Sequence, residues 1–468
     1  LFSQHFGIDT SDLASANLID PFLNVDTQLF IDPILLEKSS NEIIRGEAYA
    51  AFREHFANFL KLLDISKNEG DAAWRGAQRL LNLREPPENG LGYGGSSRSG
   101  SSRPAEIRDA IMRTAKEIVE LGSHDPEMIS LMGFFEEGVG PDTISDFTTR
   151  VIERQLSKIT ETYCNSRGIP TDKQIGADYG LPFLNDGNNG KSFIVLVPRD
   201  IVRDLPMAND WSEVETAISA NRRIRDSVNV LLSGIARPTV ADRKIALRRA
   251  AMQSSELFEL FLQSIKSAAA HYDPNSDALG YYRLKDLLAG DRNSFKANRK
   301  YDLANGVETL IELVHDTIAM FRHHVEKGNL WEELWIGDTP KRERAAQLIY
   351  YAIADCFCMA NDVDISPEAN MGGGPIDFKF SKGYSARVLV EIKRSSGSVV
   401  HGYEKQLEFY KEAARTFHGI FVVVNFGDLG RKLSEIQRIR AMRLAAGQPA
   451  SDIVVIDATP KASASRRQ

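Results

Sequence analysis

Cysteine is scarce, with three in 468 residues: Cys164, Cys356 and Cys358. Three thiols cannot build a disulfide framework, and the C-x-C pair lies in an apolar helical pattern rather than at zinc spacing. Buried free thiols in a reducing cytoplasm are the plainer account. Long apolar runs are also missing, since none reaches the ~18–20 residues of a membrane span. The opening stretch LFSQHFGIDTSDL has no basic region followed by an apolar one, so nothing in it points to secretion. A phosphate loop is missing too. Gly190-Lys191-Ser192 lacks the required glycine five residues earlier, where Asn185 stands, and a strand-like run follows where a helix is needed. His323-His324 are neighbours on different helix faces, which is poor metal geometry. Excess positive charge is absent as well: the net charge is −7, which argues against a general nucleic-acid coat.

What is present is an ordinary globular composition, 43% hydrophobic and 26% charged. The length allows two or three domains, each with its own core. Charge is unevenly spread. Residues 341–468 carry 19 Lys/Arg against 14 Asp/Glu, whereas the rest carries 38 against 50. The last quarter is therefore the basic part of an acidic protein, as phosphate binding would want.

Residues 1–40 read as loops and short strands broken at Asp20-Pro21 and Asp32-Pro33, with 28–31 a strand. Asp20, Asp26 and Asp32 resemble a metal cluster only superficially, because turn-forming Asp before Pro explains two of them. An amphipathic helix is expected over 42–64, with Phe52, Phe56, Phe59, Leu60 and Leu63 on one side. Residues 85–104 are rich in Gly and Ser and read as a loop or linker, with solvated flexibility favoured over phosphate contact by Arg98 and Arg103. Helical spacing resumes at 105–121 and 143–164, a strand follows at 191–198, and 211–336 is mostly helical. In that stretch Arg237, Arg243, Lys244, Arg248 and Arg249 form a basic cluster. A solvated helix face accounts for it more simply than a grip on a nucleic-acid backbone. Trp331 and Trp335 are placed to pack against the last domain.

The organising stretch is 371–410. Two strand-like runs, 376–381 and 387–395, flank a short connection containing Gly383, so a hairpin is the natural reading. Centred on Tyr384, that hairpin sets Asp377 opposite Glu391. Glu391 and Lys393, two apart, share a face, and the same register brings Asp377 to it. A one-residue slip would separate them. Two close carboxylates repel, and a divalent cation is the usual way to hold both ionised. Mg²⁺ takes one or two carboxylates plus waters and a substrate phosphate, with Lys393 able to steady a water nucleophile or offset charge on phosphorus. Before the hairpin, a helix is expected to start at Asp338-Thr339-Pro340. Glu343 and Gln347 share one of its faces, where Glu343 either approaches a metal or serves as a first-turn charge. A short strand at 363–365, a helix at 403–415, a buried strand at 420–424, a helix at 433–444 and a strand at 453–456 complete the pattern.

In these residues the chain resembles the PD-(D/E)xK, or restriction-endonuclease-like, nucleases. Gly374-Pro375-Ile376-Asp377 matches the first acidic motif and Glu391-Ile392-Lys393 the second. Gln406 followed by Tyr410 resembles the Q-x-x-x-Y of the family's next helix, and Glu343 falls where many members carry an extra acidic residue. The resemblance covers about residues 340–459. It implies a mixed sheet flanked by helices. It also implies Asp377 and Glu391 on Mg²⁺ (or Mn²⁺) with Glu343 as a further ligand, Lys393 assisting the attacking water, and Gln406 orienting Lys393 or a phosphate.

The expectation is a multidomain α/β (α+β) protein. It has an unassigned mixed region at 1–210 with a recognition or regulatory role, a mainly helical region at 211–337 and a nuclease-like domain at 338–468. The function expected is a cytoplasmic, Mg²⁺-dependent deoxyribonuclease that hydrolyses phosphodiester bonds, in prokaryotic defence or DNA processing by fold-level analogy. Its partner is nucleic acid, DNA before RNA, with no membrane; a homo-oligomer or a regulatory protein partner stays open. The alternatives are an RNA-cleaving effector with the same site and a non-catalytic nucleic-acid-binding or scaffolding protein retaining the fold.

Overall fold

A computed structural model describes residues 1–23, 29–83, 86, 88–91, 105–136, 138–174, 176–186, 190–203, 222–233, 235, 239–275, 277, 281–282, 285, 301–303, 306–328, 330–370, 375–383 and 386–461. The chain mixes helix and sheet and falls mainly into two compact units, Phe2–Tyr93 with Arg98–Tyr272, and Asp273–Gln468. Among the described residues no helix is long and apolar enough to cross a membrane.

The first unit is built on helices. The expected amphipathic helix is Tyr49–Ile65, entered through a π-helical turn at Ile43–Ala48. Phe52, Phe56, Phe59, Leu60 and Leu63 are all buried, as their spacing requires. The helix expected at 143–164 is Pro141–Ser166, with Pro141 in the first turn where its missing N–H is harmless. Asp20 and Asp32 are buried anchors. Asp20 accepts from the Ser3 N–H at 2.9 Å and the Ser3 hydroxyl at 2.6 Å. Asp32 caps the 3₁₀ turn Pro33–Lys38 through the Ile34 N–H and pairs with Arg203. Asp26, Arg98, Arg103 and Arg237 lie outside the described residues.

Lys191 and Ser192 sit in an antiparallel hairpin, Gly190–Phe193 against Phe183–Asp186, which agrees with the rejection of a phosphate loop. The ladder stops at Phe193. Ile194 to Val197 continue as buried extended chain whose N–H groups find scattered partners, Val195 on the Glu88 carbonyl and Leu196 on the Thr160 hydroxyl. The basic cluster is not simply a solvated face. Lys244 is buried and donates to the Glu136 carbonyl at 2.8 Å. Arg248 pairs with Glu136 at 3.0 Å and Glu117 at 2.7 Å.

The second unit holds a five-stranded mixed sheet. Its elements are α1 (Val307–Glu326), α2 (Glu343–Asn361), β1 (Asp364–Asn370), β2 (Pro375–Lys382), β3 (Ala386–Arg394), α3 (Leu407–Ala413), β4 (Gly419–Asn425), α4 (Lys432–Ala445) and β5 (Asp452–Asp457). The strand order is β5-β4-β3-β2-β1, parallel from β5 to β3 and antiparallel from β3 to β1. Gly383 takes a φ of +65° in the β2–β3 connection, a conformation that a side chain would strain.

Both sheet faces are covered. On one, Tyr350 of α2 is fully buried, edge-on to Phe378 at 5.1 Å and near Phe321 of α1 at 5.7 Å. Its hydroxyl meets Thr317 Oγ1 at 2.8 Å, so the buried phenol is satisfied. On the other, Leu389, Phe421 and Val423 pack with Tyr403, Leu407, Tyr410 and Ile436. The strand of six buried residues that opens β4 fits its central place between two parallel neighbours.

Two boundaries differ from those read in the sequence. Thr339–Pro340 pairs antiparallel with Trp335–Ile336, and α2 starts only at Glu343, with Arg342 as an N-cap that makes no side-chain capping bond to the helix. Proline suits the short edge pairing and so does not open the helix. The compact unit also reaches back to Asp273 and takes in α1, which packs on α2 and on the sheet, whereas a cut at 338 leaves α1 out. Trp335, just before that cut, packs at 5.4 Å on Phe426 and donates to the Ala458 carbonyl at 2.7 Å.

Candidate functional site

The register centred on residue 384 is observed: Lys382 pairs with Ala386 and Phe378 with Val390. The ladder ends at that pair, one step short of Asp377 and Glu391, and a side chain takes over. The Ile392 N–H donates to the Asp377 side chain, Oδ2, at 2.6 Å. Side-chain alternation also breaks here. Ile376 packs in the cluster of Leu389 and Phe421, whereas Phe378 packs on Tyr350 across the sheet. β3 continues on its other edge, paired with β4 as far as Arg394. The two hairpin strands thus part where the acidic residues begin.

Glu391 is 2% exposed. Its Oε1 meets Lys393 Nζ at 2.8 Å, while its Oε2 is buried and accepts no hydrogen bond. Lys393 Nζ also donates to Glu343 Oε1 at 3.0 Å. Glu343 Oε2 accepts the Arg394 N–H at 2.9 Å. Asp377 Oδ1 accepts from Gln347 Nε2 at 2.9 Å, and the Gln347 carbonyl accepts from Arg344 at 3.4 Å. Asp377, Glu391, Lys393 and Glu343 therefore share one pocket, three carboxylates around one ammonium.

The electrostatics follow from that count. Burial lifts the Asp377 carboxyl well above the usual carboxylate range, and the Glu391 charge lifts it further. Burial lifts Glu391 too, with Lys393 opposing. Lys393 is held above the usual lysine value: burial works against its charge, but Asp377, Glu391 and Glu343 outweigh it. One ammonium cannot balance three ionised carboxylates, so holding all three ionised would take further positive charge.

The helical segment after β3 brings up the remaining candidates. It runs through a π-helical turn, Gly402–Gln406, into α3. A Cβ on Gly402 would lie 3.3 Å from the Phe421 ring, so glycine lets this turn press against β4. Gln406 Oε1 is buried and accepts no hydrogen bond, and the expected bond to Lys393 is not formed. Tyr410, one turn on, is raised by burial and by the Glu391 charge, which places its hydroxyl within the field of the site.

Whether these residues suit a divalent cation turns on the free oxygens. Among the described residues no group of three or more His, Cys, Asp or Glu side chains is gathered to hold a metal. Glu343 is committed to Lys393 and the Arg394 N–H. Two carboxylates remain. Glu391 offers a buried, donor-free oxygen, and Asp377 is bonded only by neutral N–H groups. Two carboxylates with waters satisfy Mg²⁺ or Mn²⁺, so this pair fits such an ion.

Several supporting residues were not singled out in the sequence. Ser395 accepts the Phe426 N–H at 2.9 Å and bonds Asp428, while Lys432 donates to the Ser395 and Gly397 carbonyls, which fixes the turn after Lys393. Arg344 is 5% exposed and supports Gln347. A buried cation one residue past an acidic candidate is a signal, but only once the helix phase is known.

Comparison with known families gives two matches. Residues 7–209 are similar to a domain of unknown function, DUF8370, and residues 310–428 to another, DUF8371. The second runs from within α1 to just past β4 and so contains every residue of the pocket. No curated protein and no solved structure matches the chain.

Proposed function

We propose that the C-terminal unit is a Mg²⁺-dependent nuclease of the restriction-endonuclease-like kind that hydrolyses phosphodiester bonds of DNA. The observation that carries this reading is the buried, donor-free Oε2 of Glu391, set beside Asp377 and two residues from a lysine whose ammonium is bound on both sides. Leaving such an oxygen unpaired costs about 1–3 kcal/mol, more for a charged group, and a divalent cation would satisfy it. The basic balance of residues 341–468 suits an anionic substrate.

Asp377 and Glu391 would hold the ion; when bound, it polarises the phosphate and makes a coordinated water more acidic. Gln347 and the Ile392 N–H keep the Asp377 carboxylate turned to the site. Lys393 presents its ammonium where negative charge develops on phosphorus or on the attacking water, and being already ordered it loses little freedom as the charge appears. Gln406 and Tyr410 stand on the helical wall. Gln406 would orient a phosphate by donating from its amide NH₂ once substrate enters.

The test is incubation of the purified full chain with plasmid DNA and with RNA of similar length, with Mg²⁺, with Mn²⁺ and with chelator. Metal-dependent nicking or linearisation of the plasmid is expected. Cleavage of RNA alone would transfer the site to the other nucleic acid. Intact DNA and RNA under both metals would overturn the reading.

A further inference from the structure

The first two turns of α2 carry Glu343 and Gln347, four residues apart and so on one face, about 6 Å apart along the axis. Each reaches a different member of the pocket. Glu343 grips the Lys393 ammonium at 3.0 Å with one oxygen and the Arg394 N–H at 2.9 Å with the other. Gln347 donates to Asp377 at 2.9 Å. The Gln347 amide is oriented from both ends, because its oxygen accepts from Arg344, so the NH₂ side faces the carboxylate. The segment just before the helix is tied to the same strand, with Arg394 donating to the Lys341 carbonyl at 2.9 Å. One rigid helix thus holds both strands where they part.

The contrast between Glu343 and Glu391 decides what Glu343 does. Both touch Lys393. Glu391 keeps a second oxygen that is buried and free of donors, whereas both oxygens of Glu343 are occupied, one by a full positive charge. An ammonium at that distance repels a divalent cation from the same oxygen.

We propose that this face of α2 is a two-point brace: Glu343 positions Lys393 and Gln347 positions Asp377, and neither side chain binds the metal. The brace rests on the metal-site reading given above and names the residues that pre-organise it. Its two points should fail differently. Loss of the Glu343 charge frees a group that is not a metal ligand, so metal uptake should survive while chemistry suffers. Loss of the Gln347 bond loosens a ligand, so metal uptake itself should weaken.

The experiment is calorimetric titration of Mn²⁺ into the full chain without substrate, for wild type, Glu343→Gln, Glu343→Ala, Gln347→Met and Glu391→Gln. Plasmid cleavage rates at saturating Mn²⁺ are measured in parallel, and melting curves confirm that each variant is folded. For Glu343→Gln the expected result is a Mn²⁺ Kd within about threefold of wild type and a rate lowered about 10–100-fold. Glu343→Ala should be slower still, since glutamine retains an acceptor for the Arg394 N–H. Gln347→Met should weaken Mn²⁺ about tenfold, on the way to the larger loss in Glu391→Gln. A Kd for Glu343→Gln as weak as that of Glu391→Gln would make Glu343 a ligand and overturn the proposal. Unchanged Kd and rate in both the Glu343 and Gln347 variants would overturn it equally. Wild type that binds Mn²⁺ yet cleaves nothing discards the nuclease reading alone, and the Mn²⁺ affinities then decide the brace. Wild type that binds no Mn²⁺ discards both.

Discussion

Asp377 takes its hydrogen bond from the backbone N–H of Ile392, at 2.6 Å, through its side chain. That single bond lies between Glu391 and Lys393 in sequence and marks the point where β2 leaves β3. A carboxylate substitutes for a strand partner there, and the acidic pair and the lysine gather around it.

The first prediction concerns the trio itself. Asp377→Ala, Glu391→Ala and Lys393→Ala should each lower plasmid cleavage by at least ~10²–10³-fold, the usual scale for losing charge stabilisation in a transition state. Gln406→Ala should be milder, because it holds no metal. Initial rates at saturating Mg²⁺ measure this. A Lys393→Ala protein that cuts like wild type would strip the lysine of its assigned role.

The second concerns pH. Glu391 has a folded-state pKa above its ordinary value of 4.5, raised chiefly by burial. A raised carboxyl binds its proton more tightly in the folded chain, so its contribution to stability is fully present below the unfolded value. It is lost as pH rises through the folded value. In metal-free protein, Glu391→Gln should therefore gain stability over wild type as pH climbs above about 4.5. The gain should appear as a difference in Tm between the two proteins that widens with rising pH. Melting curves of both proteins between pH 4 and 8 read the difference. A gap that stays constant with pH would mean that Glu391 is not the group responding.

The third concerns the boundary. A chain beginning at Asp273 retains α1 and should melt cooperatively. A chain beginning at Asp338 exposes the surface that Val314, Ile318 and Phe321 cover. Each of these buries side-chain area worth about 1.5–3 kcal/mol, so the shorter chain should be markedly less stable or insoluble. Equal melting temperatures for the two would place α1 outside the fold.

The fourth uses Cys164, which is wholly buried and whose thiol is pushed up to about 12 by burial. Since the thiolate is the reactive form, a maleimide or iodoacetamide should label Cys164 at pH 8 only after unfolding. Fast modification of Cys164 in the native chain would show that the long helix Pro141–Ser166 opens readily.

The sheet was largely legible in the sequence because local chemistry determines it. Alternating residues, a short glycine-bearing connection and runs of buried Val and Ile gave β2 through β5, and the hairpin's centre gave the register. The partners of Glu343 were not legible. Lys393 lies fifty residues away, and only the crossing of α2 over β3 brings the two together. For the same reason a metal ligand or a first-turn charge can be read at Glu343 from the sequence, and its contact with Lys393 cannot. Pro340 misled because the residues that favour a helix start also favour a short edge pairing. The place of α1 could not be read at all, since an apolar helical stripe does not say which surface it covers.

The claim that Asp377 and Glu391 together hold a divalent cation is tested most directly by melting wild type and Glu391→Gln across a Mg²⁺ and a Mn²⁺ titration. Binding to the folded state alone should stabilise wild type by about 2.7 kcal/mol when metal is one hundred times its Kd. Glu391→Gln, more stable than wild type without metal, should respond weakly, so the two melting curves cross as metal is added. Identical rises in Tm for both proteins, or none in either, would contradict the site.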